Sequence, residues 1–263
     1  MNWIASLPMY NVTPALAADW RAFLADVLHE AAPLTRIVEA GETLDMLWRR
    51  ADLLISQTCG YPLIHGLHER VQLIATPEFD APGCAGPNYS SVIVTRADGP
   101  VHSLEASRGL RVALNQPDSN SGMNALRHAI APLSREGAFF GEVVVTGSHV
   151  GSLAAIAEDR VDIAAIDCVT MAFVRDGLPR LAQAVREIAW TQVSPGLPLV
   201  ASNDVDASTV ETLRSALNDA LRADPARAKR RRRKGFSTLS LMDYARIEQL
   251  ENEALERGYA RLA

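Results

Sequence analysis

The sequence has no apolar run of the roughly 20 residues that a helix needs to cross a bilayer. Its few cysteines, Cys59, Cys84 and Cys168, are odd in number and form no CxxC pair, so neither a disulfide framework nor a zinc site is predicted. The first residues, MNWIASLPMYNVTP, have no basic region and no long apolar core. They do not predict a signal peptide, and we expect either a mature form with a start Met or a cytoplasmic protein.

The chain also lacks common signatures of catalysis and of nucleic-acid binding. It has no GxSxG nucleophile elbow, and the adjacent Ser148 and His149 cannot easily face each other as members of a triad. The formal net charge is −5, which disfavours a nucleic-acid partner. What the chain has instead is 263 residues, 48% of them hydrophobic, and this predicts a soluble globular protein with one large domain or two lobes.

Apolar runs typical of strands alternate with segments of helical spacing along most of the chain. This alternation predicts an α/β fold whose sheets are mainly parallel and flanked by helices. Gly/Pro-rich breaks near 98 and 195 predict that the chain leaves one lobe, builds a second and returns. We expect lobe one at 1–97 and 197–263 and lobe two at 98–196. We also expect a ligand cleft between the lobes that closes by a hinge motion, and C-terminal helices packed on lobe one.

One polar loop in the middle of the chain is the most informative stretch. An apolar run predicts a buried strand at 110–114, and apolar residues at helical spacing predict a helix after Gly122. Between them stand Ser119, Asn120 and Ser121, where hydroxyls and free backbone N–H groups would form an anion receptor from neutral parts. An ordinary Ser/Asn helix cap is the alternative interpretation.

Polar side chains follow four other predicted strands as well. These are Tyr10, the segment 57–61 with Tyr61, the pair Ser148 and His149, and Asp167. Ligands of open α/β sheets bind at the carboxyl ends of strands, so the five loops predict one shared site. None of these loops contains Lys or Arg, so neutral donors would have to hold an anion. The alternatives are a helix-start His149, an Asp167 that only caps the next helix, and tyrosines at a rim.

Five motifs are informative in combination: GPNYSSVIV, NQPDSNSG, TGSHVGSLAAIAEDRVDIAAID, SPGLP and the closing KGF…MDYARIEQLENEALERGY. With them, the chain from Ala51 through Tyr259 resembles the periplasmic substrate-binding proteins of phosphate, phosphite and phosphonate ABC transporters, which have the type II periplasmic-binding-protein fold. In that family a D-P-x-S-T-S-G-like loop stands where this chain has NQPDSNSG. An S-G-S-H segment, followed by a helix and a V-D-x-x-A strand, matches the third motif.

The resemblance implies a set of ligand-binding residues: Tyr10, Tyr61, Tyr89, Ser119, Asn120, Ser121, His149 and Asp167. It implies that the Ser-Asn-Ser segment hydrogen-bonds an oxyanion, with Asn120 in place of the family's Thr, and that Asp167 contacts a ligand amine or a protonated oxygen. It also implies capture of a small phosphonate-, phosphate- or phosphite-like oxyanion, or a related polar metabolite, between two lobes. The implied partner is an ABC transporter permease and the implied location is the periplasm, with no cofactor, metal or catalytic residue.

Two other functions stay open from the sequence. One is an enzyme on the same fold, as in the thiamine-pyrimidine or menaquinone pathways, although the Cys-rich signature of the former is absent. The other is a cytoplasmic ligand-sensing module whose basic run Arg227–Lys234 engages a partner. We interpret that run instead as a solvated helix end before Gly235, because cations are favoured at a helix C-terminus.

Overall fold

A computed structural model describes residues 2–39, 41 and 43–263. Its helices are α1 Pro14–Ala31, α2 Leu44–Trp48, α3 Gly60–Ile64, α4 Ala125–Ile130, α5 His149–Ala157, α6 Cys168–Gly177, α7 Pro179–Gln183, α8 Ala207–Ala223, α9 Pro225–Arg230 and α10 Leu241–Glu256. Its strands are β1 Ile4–Ser6, β2 Arg36–Ile37, β3 Leu53–Gln57, β4 Val71–Phe79, β5 Asn88–Tyr89, β6 Ser91–Arg96, β7 Arg111–Leu114, β8 Glu142–Val145, β9 Ile163–Asp167, β10 Val185–Trp190, β11 Ser194–Pro195, β12 Leu199–Ser202 and β13 Arg233–Ser237. Among the described residues, no helix is long and apolar enough to span a membrane.

The described chain divides into two compact units. The first unit comprises Met1–Asp80, Ala85–Pro87 and Pro195–Tyr244, and the second comprises Ala81–Cys84, Asn88–Ser194 and Ala245–Ala263. The first exchange between units therefore lies near 80–88 rather than at the expected 97/98. The reason is that β6 is hydrogen-bonded to β9 and to β10, which places it in the sheet of the second unit.

The first unit is built on a sheet with the strand order β13-β4-β12-β3-β1-β2. The helix α1 begins where Thr13 accepts a hydrogen bond from Leu16 N, with Pro14 at the first helical position. Its buried face packs, together with α8, against the sheet around a core that includes Leu24, Ile74 and other apolar side chains. Two long amphipathic helices thus cover one face of this sheet.

The second unit is built on a sheet with the strand order β10-β6-β9-β7-β8. The strand β7 runs parallel to both β8 and β9. All five residues of β9 are buried, which agrees with the uninterrupted apolar run by which the sequence predicted it. Because parallel neighbours end at the same edge, the residues that follow β7, β8 and β9 come together in this unit.

The expectation of mainly parallel sheets needs correction, because both sheets are mixed. In the first unit β12 is antiparallel to both β3 and β4, and β13 is antiparallel to β4. In the second unit β6 is antiparallel to β9 and β10. The antiparallel strands lie near the points where the chain changes unit. The strand β6 follows the first passage into the second unit, and β12 and β13 follow the return to the first unit.

The C-terminal helices do not all belong to the first unit, contrary to expectation. Helices α8 and α9 do, but the division falls inside α10, and Ala245–Ala263 groups with the second unit. There Glu251 forms a 2.9 Å ion pair with Arg127, and Glu253 lies 2.7 Å from the His128 imidazole. These polar contacts, which the apolar pattern of the sequence does not show, contribute to holding the segment in the second unit, together with buried side chains such as Ile247 and Leu250.

The basic run is not a solvated helix end throughout, and that interpretation is wrong for two of its residues. Arg231 is 1% exposed and Arg233 is 6% exposed. The Arg233 guanidinium lies 4.0 Å from the centroid of the Trp20 ring, and Arg231 pairs with Asp19 at 2.9 Å. Aromatic side chains of α1 cover these two cations, whereas Lys229, Arg230 and Lys234 are exposed, as predicted.

Candidate functional site

The polar loop after β7 turns into a helix at Ser119. Its side chain accepts a hydrogen bond from Gly122 N at 3.1 Å, as a capping serine does. The helix begins at Asn120, within the Ser119–Ser121 segment that the sequence places at the helix start, with a π-type turn over Asn120–Asn124 that continues into α4. Such π turns occur frequently at functional sites, because they redirect side chains that an α-helix would point elsewhere.

Gly122 is required at this turn by a close approach of side chains. A Cβ atom at position 122 would lie 1.9 Å from Asn115 Oδ1 and 3.3 Å from His149 Cε1. A larger residue would displace the Asn115 side chain and press against the His149 ring. The glycine therefore allows the loop and the imidazole to sit against the same backbone.

Ser121 and His149 form the central contact of the cluster. The Ser121 Oγ lies 2.8 Å from His149 Nε2, and the Ser119 Oγ lies 3.4 Å from Ser121 Oγ. Burial lowers the pKa of His149 to about 4, although an interaction with the Ala165 backbone partly opposes the shift. At neutral pH the imidazole is therefore uncharged and shares one hydrogen bond with the Ser121 hydroxyl.

Asn120 lies beneath this contact and is 1% exposed. Its side-chain nitrogen donates to Tyr89 Oη at 3.1 Å and to Ser194 Oγ at 2.9 Å. Its carbonyl oxygen accepts from Asn124 Nδ2 at 3.1 Å. These partners give Asn120 an internal role that the sequence did not predict, and they add Ser194 to the cluster.

Asp167 ends β9 and caps α6. Its Oδ1 accepts hydrogen bonds from Val169 N at 2.7 Å and from Thr170 N at 3.0 Å. The carboxylate is 1% exposed. The capping role weighed from the sequence is thus present, and one carboxylate oxygen is already engaged with the backbone.

The second unit brings most of the predicted residues into one cluster, in which Ser119, Ser121 and His149 form one hydrogen-bonded group and Asn120 with Tyr89 forms another. Its members are Tyr89, Ser119, Asn120, Ser121 and His149. The side chains of Ser119 and Ser121 are each about 5% exposed, so the donors are buried rather than spread over a surface.

Tyr10 and Tyr61 belong to the first unit. Tyr10 has a left-handed backbone (φ 64), which is uncommon for a residue other than glycine, and its ring packs edge-on against Phe79 at 5.3 Å. Tyr61 lies in α3 with its ring 4.3 Å from the imidazole of His65. Both tyrosines therefore have aromatic neighbours within their own unit.

Three further residues, which the sequence did not predict, belong to the hydrogen-bond network of the cluster. Asn124 and Arg127 follow Asn120 by four and seven positions, and Ser194 is the last residue of the second unit's segment Asn88–Ser194. The one available signal was the spacing of Asn120, Asn124 and Arg127, which places polar groups on one side of an otherwise apolar helix. Among the described residues, no group of three or more His, Cys, Asp or Glu could hold a metal ion.

Comparison with solved structures gives the class of the fold. A binding protein component of an ABC phosphonate transporter from Pseudomonas aeruginosa superposes with a TM-score of 0.77 at 18% identity, over 97% of this chain and 87% of that one. PhnD1 from Prochlorococcus marinus in complex with methylphosphonate gives 0.77 at 15% identity, over 97% and 98%. A Xanthomonas citri protein bound to ATP gives 0.68 at 18%, over 97% and 98%. The fold is that of the two-lobed periplasmic binding proteins.

The family follows from the sequence comparison. A family model for the phosphonate periplasmic substrate-binding proteins of ABC transporters matches residues 45–244. The chain belongs to this family, as its motifs predicted. No curated protein sequence matches the chain.

Proposed function

We propose that the chain captures a small phosphorus oxyanion of the phosphonate, phosphate or phosphite type, hands it to an ABC transporter permease and catalyses no reaction. The carrying observation is the buried cluster of neutral hydrogen-bonding groups in the second unit. It contains the hydroxyls of Tyr89, Ser119 and Ser121 and the uncharged imidazole of His149. A tetrahedral oxyanion offers several strong acceptor oxygens to such a set.

In this proposal Ser119, Ser121, His149 and Tyr89 hydrogen-bond the oxyanion. The dense packing at Gly122 holds the serine segment and the imidazole at fixed positions, which lowers the ordering cost of binding. Asp167 keeps its helix cap and is a candidate for contact with a ligand amine. Tyr10 and Tyr61 stay candidates on the family resemblance alone.

Isothermal titration calorimetry with methylphosphonate, phosphite and phosphate tests the proposal, with methanesulfonate and acetate as comparison anions. We expect at least one phosphorus oxyanion to bind more tightly than either comparison anion. Ser121→Ala should weaken that binding by about tenfold to a hundredfold, because a hydrogen bond to a charged ligand contributes roughly 1.5–3 kcal/mol.

Ser134→Ala is the matched control, because Ser134 follows the same helical segment and its hydroxyl donates to the Ala131 carbonyl in its own turn. This variant should bind like the parent. Tighter binding of the sulfonate or the carboxylate, or equal affinities of Ser121→Ala and the parent, would contradict the proposal.

A further inference from the structure

A series of hydrogen bonds connects the C-terminal segment to the donor cluster. Arg127 fixes which group donates and which group accepts in each of these bonds. This guanidinium is 4% exposed, pairs with Glu251 at 2.9 Å and donates to the Ala260 carbonyl at 2.8 Å. It also donates to Asn124 Oδ1 at 2.8 Å. Because a guanidinium has no acceptor atom, the oxygen of the Asn124 amide must face Arg127.

The nitrogen of Asn124 then faces the other way. It donates to the Ile247 carbonyl at 3.0 Å and to Asn120 Oδ1 at 3.1 Å. A backbone carbonyl accepts and cannot donate, so Ile247 requires the same orientation of Asn124 that Arg127 does. Asn120 must therefore present its amide nitrogen to Tyr89 and Ser194.

The direction of these bonds decides what the two hydroxyls can offer a ligand. A hydroxyl that accepts a hydrogen bond from an amide keeps its own hydrogen for another partner. With Asn120 turned around, Tyr89 and Ser194 would spend their hydrogens on its carbonyl oxygen and would present lone pairs instead. Lone pairs would repel an oxyanion, whereas hydrogens attract one.

We infer that Arg127 and Asn124 are positioning residues that act through Asn120 to make the hydroxyls of Tyr89 and Ser194 hydrogen-bond donors to the bound oxyanion. This inference rests on the proposed function and adds Ser194 to the ligand contacts. It also explains how a buried cation serves the site without touching the ligand. The charge of Arg127 acts on the cluster by fixing the orientation of the Asn124 and Asn120 side-chain amides.

The test reverses the chain without changing the net charge. Asn124→Asp accepts from Arg127 but cannot donate to Asn120, so the Asn120 amide turns its nitrogen toward position 124. The double variant Asn124→Asp/Glu251→Gln removes the carboxylate at position 251 and adds one at position 124, so the formal charge of the protein does not change. Glu251→Gln alone is the matched control, because Gln still accepts from Arg127 and leaves the direction of the chain intact.

Calorimetry with methylphosphonate gives the first readout. We expect Glu251→Gln to bind within about threefold of the parent and the Asn124→Asp/Glu251→Gln variant to bind at least about tenfold more weakly. In the parent, Tyr89→Phe should cost about tenfold, but in the double variant it should cost almost nothing, since that hydroxyl no longer donates. Additive losses, or a double variant that binds like the parent, overturn the inference.

A ligand-free readout separates this inference from the proposed function. In the NMR spectrum of the parent, Tyr89→Phe should shift the side-chain amide signals of Asn120, which are assigned by their loss in Asn120→Thr. In the double variant the same change should leave them in place. If the parent binds no phosphorus oxyanion, the proposed function fails, and unshifted Asn120 signals in the parent overturn the orientation itself.

A second inference comes from two thiols in the same unit. The Cys84 Sγ lies 3.4 Å from Cys168 Sγ, and both cysteines are free. The segment before β5 is held there because Ser90 Oγ donates to the Gly83 carbonyl at 3.1 Å. Gly83 has φ +93, and a Cβ at its position would lie 3.0 Å from Cys168 Cβ, so glycine allows the close approach.

We propose that Cys84 and Cys168 are a reversible disulfide site. Their sulfurs need to approach by only about 1.4 Å to reach the S–S bond length. The half-buried Cys84 attacks a disulfide oxidant as thiolate and releases one thiol, and Cys168 then attacks the mixed disulfide and releases the second. Two electrons and two protons pass to the oxidant. Cys84 is the first nucleophile because it is half-buried and can be reached by the oxidant, whereas Cys168 is 1% exposed.

Intact-mass spectrometry of the native protein after incubation with oxidised glutathione tests this site. We expect a loss of about 2 Da, the mass of two hydrogens, in the parent and in Cys59→Ser. Neither Cys84→Ser nor Cys168→Ser should show that loss. An unchanged mass, a persistent single glutathione adduct, or a 2 Da loss that requires Cys59 overturns the proposal.

Discussion

His149 shows at the residue scale how burial prepares a neutral group and makes stability depend on pH. Its pKa is about 4 in the folded chain, against about 6.5 for an unperturbed imidazole. Between these two values the unfolded chain binds more protons, so the folded state loses stability as the pH falls from about 6.5 to 4. Paired carboxylates such as Asp162 titrate below this window, because the hydrogen bond from Arg111 lowers the pKa of Asp162.

We therefore expect His149→Gln to lose less stability than the parent between pH 6.5 and 4. Urea midpoints at half-unit pH steps measure the difference. His29→Gln, at an exposed position of α1, is the control and should follow the parent. If His149→Gln and the parent fall in parallel, the imidazole is not the group that titrates.

Arg233 makes a second residue-scale prediction, about the cost of a buried cation. Its guanidinium lies within 5 Å of the rings of Trp20, Phe23 and Phe236, and burial holds its pKa well below the usual value. Nε and Nη1 have no hydrogen-bond partner among the described residues. Replacing such a charge with an apolar side chain of similar volume is often stabilising.

We expect Arg233→Met to raise the free energy of unfolding by about 1–2 kcal/mol, while Arg233→Ala lowers it by about 2 kcal/mol because it leaves a cavity. Denaturant unfolding measures both, with the exposed Arg230→Ala as a neutral control. Equal destabilisation by Met and Ala would mean that the cation–π contacts outweigh the desolvation cost.

At the scale of elements, the local sequence pattern was sufficient to predict those strands and helices that are marked by their own apolar residues and capping residues. The apolar run at 110–114 predicted a buried strand, and the structure confirms it as β7. The strand–loop–helix unit around β7 was also predicted, because a buried apolar run ends in capping residues. The π turn over Asn120–Asn124 was not predicted, because such a turn has no pattern of its own in the sequence.

The strand β13 was missed for a different physical reason. Its sequence, RKGFS, has the charge of a solvated end and only one apolar side chain. It forms because β4 offers an antiparallel partner, from Phe79 to Thr76, and because aromatic rings of α1 cover Arg233. Tertiary context overrides local preference here, and a single sequence does not reveal it.

Asp167 carries an element-scale prediction, since it both caps α6 and is a candidate ligand residue. Asparagine caps a helix about as well as aspartate, so Asp167→Asn should stay within about 0.5 kcal/mol of the parent, whereas Asp167→Ala should lose about 1–2 kcal/mol. If the carboxylate contacts a ligand amine, Asp167→Asn should weaken an aminoalkylphosphonate and leave methylphosphonate unchanged. Thermal unfolding and calorimetry report the two roles separately, and equal losses for both ligands would contradict the amine contact.

At the scale of the whole molecule, the residues that orient the cluster come from far apart in the sequence. Ser194 lies 74 positions from Asn120, Ile247 lies 123 from Asn124, and Glu251 lies 124 from Arg127. The local periodicity of the sequence does not indicate contacts between residues so far apart. The serine segment and His149 were predictable because each stands beside a helix start, whereas the network behind them depends on Ala245–Ala263 joining the second unit.

Because Ala245–Ala263 belongs to the second unit, we expect ligand binding to slow hydrogen exchange in this C-terminal segment. Hydrogen exchange with mass spectrometry, with and without methylphosphonate, should show slower exchange at 119–130 and also in α10 beyond Tyr244. The reason is that Asn124 and Arg127 tie the helical segment after Ser119 to Ile247 and Glu251, so fewer openings of either segment are accessible once the cluster is occupied. The start of α1 is the reference segment and should exchange equally in both samples.

In the Asn124→Asp/Glu251→Gln variant, at a ligand concentration that gives the same occupancy, protection of α10 should fall more than protection of 119–124. Protection confined to 119–124 in the parent would show that the hydrogen-bond chain holds the cluster in place without coupling it to the C-terminal helix.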